Sequence, residues 1–134
     1  VYGKAYLKSL LLILDFIYND NSSSKWNGLY QISIEHILPQ NPASDSEWCK
    51  DFTDEQLSLW TNKIGNLCLI GRKKNTSLGR LDYIAKKEKY FKDKIANFPY
   101  TLHIYNTYPD KWTPQEVNSN QIELLSVLNK FFTE

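Results

Sequence analysis

Two stretches decide how this chain is read: Ile34-Glu35-His36-Ile37-Leu38-Pro39-Gln40, and Ile64-Gly65-Asn66-Leu67-Cys68-Leu69-Ile70-Gly71-Arg72-Lys73-Lys74-Asn75. The first closes a run, Leu29 to Ile34, in which β-branched and aromatic residues alternate with polar ones, so it reads as a strand with His36 just beyond it. Pro39 and Pro42 then break regular structure. The second stretch reads as another strand over Ile64 to Ile70, ended by Gly71. From about Thr76 to Ala96 the pattern turns helical, with Leu78, Leu81, Ile84/Ala85, Phe91 and Ile95 as the inward stripe. The central organisation is therefore strand, excursion, strand, helix.

Outward from this centre the chain is mostly helical. Ala5 to Tyr18 reads as an amphipathic helix that the Asn19–Ser24 stretch ends. Ser44-Asp45-Ser46-Glu47 and Thr53-Asp54-Glu55-Gln56 are capping-box patterns, so two short helices are expected in the excursion. After an aromatic-rich tail, Thr113-Pro114-Gln115-Glu116 starts a last helix running to about Phe132, with Ile122, Leu125, Leu128 and Phe132 expected inside. The fold class is α+β: a mostly helical domain around a strand-and-helix core at about residues 29–96.

At 134 residues the chain fits one domain spanning 1–134. It starts at Val1 and contains no Met, and so reads as a piece of a longer protein. The apolar run Leu10 to Ile17 is too short to span a bilayer, carries Asp15 and is followed by no cleavage site. A cytoplasmic location with no membrane association is expected. Cys49 and Cys68 form no metal-binding spacing and read as buried small hydrophobes. The four tryptophans read as filling the core or helix seams rather than stacking on bases.

Charge is unevenly placed. Between Arg72 and Lys94 nine basic residues meet three acidic ones, giving +6 in a chain of net charge +1. Such a segment suits an anionic partner, although a solvated helix face carries charge in the same way.

Of the two histidines, His36 is the candidate for chemistry, because Glu35 beside it is a hard oxygen donor next to a group that titrates near neutral pH. His103, in the aromatic tail, reads as structural. Asn66 and Asn75 carry amide oxygens at a strand and at a helix start, where turn capping is the simpler role.

Taken together, Glu35-His36-Ile37-Leu38-Pro39-Gln40 and Asn66-Leu67-Cys68-Leu69-Ile70-Gly71-Arg72-Lys73-Lys74-Asn75 resemble the two halves of an HNH, or ββα-metal, nuclease motif. More narrowly, the chain resembles the C-terminal HNH domain of the GmrSD family of modification-dependent restriction enzymes. Ile34 to Asn41, Ile64 to Leu67, Asn75, Tyr83 with Lys86, and Trp112-Thr113 carry that likeness. Tyr83 stands where the family often has Phe, and Asn118 to Gln121 lacks an Arg common there.

The resemblance implies a ββα-metal core and an endonuclease that hydrolyses DNA phosphodiesters in bacterial restriction and phage defence. It assigns Glu35 and Asn75 to one divalent cation, magnesium with manganese as the alternative. It makes neutral His36 the general base toward water, with Asn66 orienting the His36 loop. Arg72, Lys73, Lys74, Arg80 and Lys86 would contact DNA phosphates, and an NTP-using domain would lie elsewhere in the parent protein. Two rivals use the same residues without catalysis: a nucleic-acid-binding module of this fold, and a protein-interaction domain.

Overall fold

The structure is a computed structural model and describes residues 2–19, 32–71, 78–93 and 98–133. Helix α1 (Leu7–Tyr18) buries Leu7, Leu11, Leu14 and Asp15 on one face, the spacing its sequence predicts. Strands β1 (Ile32–His36) and β2 (Leu67–Gly71) pair antiparallel, from Ile32 opposite Gly71 to His36 opposite Leu67. A lone two-stranded ribbon is marginal in water. Here helices cover it: α1 and the helix Pro99–Thr107 both pack on β2, whose five residues are all buried.

Between the strands lie α2 (Glu47–Asp51), α3 (Asp54–Trp60) and a 3-10 turn at Ile64–Asn66. The Thr53 box forms in full: Gln56 N–H donates to Thr53 Oγ1 at 3.2 Å, and Thr53 N–H to Gln56 Oε1 at 2.9 Å. The Ser44 box does not form. Helix α2 begins at Glu47 after Ser46, whose hydroxyl donates to Ala43 O at 2.6 Å instead of capping. Beyond β2 come α4 (Tyr83–Asp93), α5 (Pro99–Thr107) and α6 (Pro114–Thr133). The α+β, mostly helical class is what the structure shows, and no helix among the described residues is long and apolar enough to cross a membrane.

Several local readings change. β1 runs on through His36, because its ladder continues to Leu67. The expected second strand starts three residues late, since Ile64-Gly65-Asn66 curl into the 3-10 turn. Of the helix expected over Thr76–Ala96, residues 76, 77 and 94–97 lie outside the described residues; Leu78 is helical and buried as expected, Gly79 then takes φ +45°, and α4 from Tyr83 turns Tyr83, Lys86 and Tyr90 inward. Leu81, Ile84 and Phe91 are exposed. On α6 the inward face is Val117, Asn120, Leu124 and Leu128, leaving Ile122 at 62% and Phe132 at 61% exposure.

The aromatic tail holds an unexpected helix, α5, started by Pro99 at its first position and anchored by buried Tyr100, Thr101, Ile104 and Tyr105. Its N-terminus is met by Asp15, which accepts from Tyr100 N–H at 2.9 Å. Trp48 and Trp112 are core, as expected, and Trp26 lies outside the described residues. Cys68 is buried and Cys49 half-buried, both as free thiols.

Candidate functional site

The strand end and the loop after it, residues 35–38, are enclosed by polar side chains from distant parts of the chain. Asn66, at 0% exposure, closes a four-way set. Its Oδ1 accepts from Leu38 N–H at 2.8 Å and Trp112 Nε1–H at 3.0 Å. Its Nδ2 donates to Leu38 O at 3.0 Å and Thr61 O at 2.9 Å. Asn66 O also accepts from Ile37 N–H at 3.1 Å. An asparagine amide has two donors and two acceptor lone pairs, and all four are used here.

Lys86 reaches the same loop from α4. Its ammonium donates to His36 O at 2.8 Å, Ile37 O at 3.0 Å and Glu35 Oε2 at 3.2 Å. All three protons are thereby spent inside the fold, and the residue is 0% exposed. The expected contact of Lys86 with a phosphate is corrected by this placement: the ammonium is a buried clamp on the strand end, with no proton left to meet DNA.

Glu35 is buried against Lys86, and burial lifts its carboxyl to about 7 while the nearby ammonium pulls the other way. Burial likewise lowers the Lys86 ammonium, opposed by Glu35. The two directions have one cause, since a dry site acts against both charges. The 3.2 Å contact and two carbonyl acceptors hold the charged pair against it.

His36, 9% exposed, ends β1 with its imidazole toward the turn after α3. Its Nε2 lies 2.9 Å from Asn62 Oδ1, and the Tyr2 ring meets it edge-on at 4.4 Å between centroids. Burial lowers the His36 pKa, the Asn62 bond raises it, and the Lys86 charge lowers it further. The net direction favours the neutral imidazole near neutral pH, the form that accepts a proton.

Glu35, His36, Asn66 and Lys86 are thus brought together. Arg80 is exposed, just before α4. Asn75, Arg72, Lys73 and Lys74 lie outside the described residues. Sequence reasoning missed Asn62, which sits in a turn 26 residues from its partner and belongs to no local pattern. His103 stands apart, its Nε2 3.1 Å from Glu123 Oε2 and its ring stacked on Tyr18.

As a fit for a divalent cation, Glu35 offers a hard carboxylate oxygen in a buried place where added positive charge would offset its desolvation. Among the described residues, no three or more His, Cys, Asp and Glu side chains gather into a ligand group.

The family model for the C-terminal domain of GmrSD restriction endonucleases matches residues 2–127 of the chain. No curated protein and no solved structure gives a match.

Proposed function

Because the chain belongs to the family of GmrSD restriction endonuclease C-terminal domains, we propose that it is a metal-dependent HNH endonuclease domain that hydrolyses DNA phosphodiester bonds. The observation that supports this most directly is the Glu35–His36 pair at the end of β1. Its imidazole is disposed to stay neutral, and its main chain is fixed by Asn66 and Lys86.

In this reading Glu35 and Asn75 hold one magnesium or manganese ion, which when bound offsets charge on the scissile phosphate and the leaving oxygen. His36 removes a proton from the attacking water. Lys86 and Asn66 keep the His36 backbone in register, so that the imidazole waits in place instead of being ordered at each turnover. Arg72, Lys73, Lys74 and Arg80 supply the phosphate contacts, with Lys86 removed from that set. The parent protein would act in bacterial restriction of foreign or modified DNA in the cytoplasm, beside an NTP-using domain.

The test is plasmid nicking by this chain with magnesium or manganese, alongside a His36→Ala variant whose circular dichroism matches the parent. Metal-dependent nicking that the variant lacks is expected, with DNA affinity falling steeply as salt rises. Equal cleavage by both proteins would sink the assignment of His36. DNA binding without cleavage under either metal would favour a binding module of the same fold.

A further inference from the structure

The turn Thr61–Lys63 is held as firmly as the loop it faces. Thr61 O accepts from the same Asn66 amide that binds Leu38 O, and Lys63 N–H donates to Trp60 O at 3.1 Å. One buried side chain therefore fixes the separation between the His36 loop and the Asn62 turn. Across that gap Asn62 makes two contributions. Its side-chain Oδ1 meets His36 Nε2 at 2.9 Å, and its backbone carbonyl accepts from Tyr2 N–H at 3.3 Å, which brings the Tyr2 ring edge-on against the imidazole.

We propose that Asn62 is the positioning residue for His36: it selects the tautomer with the proton on Nε2 and so leaves Nδ1 as the nitrogen that accepts a proton. This rests on the nuclease reading only for its consequence in catalysis.

The argument is one of hydrogen-bond inventory. A neutral imidazole has one donor and one acceptor nitrogen, and the partner of one decides the role of the other. With Asn62 Oδ1 toward Nε2, that nitrogen must carry the hydrogen, and Nδ1 keeps a free lone pair. With the amide reversed, Nδ2 would consume the Nε2 lone pair and force the hydrogen onto Nδ1, leaving the ring no basic nitrogen. Only the observed orientation gives a base. The same Oδ1 accepts equally well from the imidazolium that forms when Nδ1 takes its proton, so Asn62 need not move during the step. Asn62 also lines a cavity of about 400 Å³ with Gln40, Asn41, Leu57, Ser58 and Thr61.

The experiment is nitrogen-15 NMR of the histidine side chains in the intact chain, above the pH at which the rings titrate. With two histidines in the sequence, a His36→Ala spectrum assigns the signals. The parent is expected to show His36 as the Nε2–H tautomer. Asn62→Ala should mix the two forms, and Asn62→Asp, which keeps an oxygen acceptor, should restore the parent tautomer. In plasmid nicking, Asn62→Ala should lower kcat by about 10- to 100-fold, the usual loss when an outer partner of a site residue is removed. KM should stay within about twofold, because the change spares the phosphate contacts. An Asn62→Ala protein that keeps the parent tautomer overturns the proposal, as does a mixed tautomer with undiminished kcat. If Asn62→Ala shifts the tautomer while the parent cleaves nothing under either metal, Asn62 is confirmed as orienting the ring, and it is the nuclease reading that fails.

Discussion

Replacing Asn66 by alanine tests the central claim that one buried amide holds the His36 loop and the Asn62 turn together. The change deletes four hydrogen bonds and strands two buried donors, Leu38 N–H and Trp112 Nε1–H, with Leu38 O and Thr61 O losing their partner amide. A buried donor left without a partner costs about 1–3 kcal/mol. The two donors alone thus give roughly 2–6 kcal/mol, with about 4 kcal/mol the central expectation once relaxation and water entry are allowed. For a chain of this length 1 kcal/mol moves the melting temperature by about 3–4 °C, so Asn66→Ala should melt about 15 °C lower. Asn66→Asp sharpens the test. Its carboxylate still accepts from Leu38 and Trp112, but its other oxygen faces the two carbonyls that Nδ2 served. It should therefore be destabilised at pH 7 and recover toward pH 4, where the protonated acid donates to one of them. Denaturant unfolding of the parent and both variants at the two pH values is the assay. A loss below about 1 kcal/mol for Asn66→Ala, or no recovery of Asn66→Asp in acid, would refute the four-way arrangement.

Further expectations follow from other buried groups. Lys86→Met should cost about 3–5 kcal/mol because it leaves Glu35 buried and unpaired, and adding Glu35→Gln should return part of that loss; strictly additive effects in a double-mutant cycle would show the pair is not coupled. Asp15 gives a pH dependence. Burial raises its carboxyl to about 7, so between the unfolded value near 3.8 and about 7 the folded state holds a proton that the unfolded state has released, and stability falls as pH rises through that window. Asp15→Asn should flatten this slope and be the more stable protein at pH 8, by at most about 4 kcal/mol, and a variant whose melting profile against pH superimposes on the parent would contradict it. Gly65→Ala would set a Cβ 2.6 Å from Gln121 Oε1 and 3.0 Å from Gln121 Cα, the latter backbone that cannot swing aside, so a loss of about 1–3 kcal/mol is expected in thermal melts.

The parts of this fold visible in the sequence are those governed by apolar spacing or by local caps. Helix α1 follows its leucines, and Thr53 with Gln56 forms the box its spacing announces. The strand pair and the meeting of Glu35, His36 and Asn66 also follow from the order of the two quoted stretches. The phases of α4 and α6 were not visible, because each turns a polar residue inward: Lys86 and Asn120 are buried where the pattern offered Ile84 and Ile122. Residue type favours the isoleucines inside. What wins is the backbone's need for partners, since Lys86 serves two carbonyls, and Asn120 donates to Gly65 O at 2.9 Å and to Tyr100 Oη at 2.8 Å. Helix α5 was missed for a related reason: Tyr, Thr and Ile are average helix formers, and this segment is stabilised by packing on β2 and by a carboxylate from α1.

These polar residues share a purpose that explains their burial. After His36 the chain leaves its sheet partner and enters the core without regular structure, where unpaired peptide groups are costly. Each polar group from His36 O to Leu38 O nonetheless has a partner. Lys86 takes His36 O and Ile37 O, while Asn66 takes Ile37 N, Leu38 N and Leu38 O. A strand or helix would satisfy the same atoms more simply, but it would dictate the direction of the His36 side chain. Because two distant residues, Asn66 and Lys86, do the pairing instead, the imidazole can face the Asn62 turn while every peptide group beneath it is held. The fold thus accepts a buried charge and a buried amide in exchange for an irregular loop whose peptide groups are all paired, and under the proposed function it is there, beside Glu35, that His36 would await its proton.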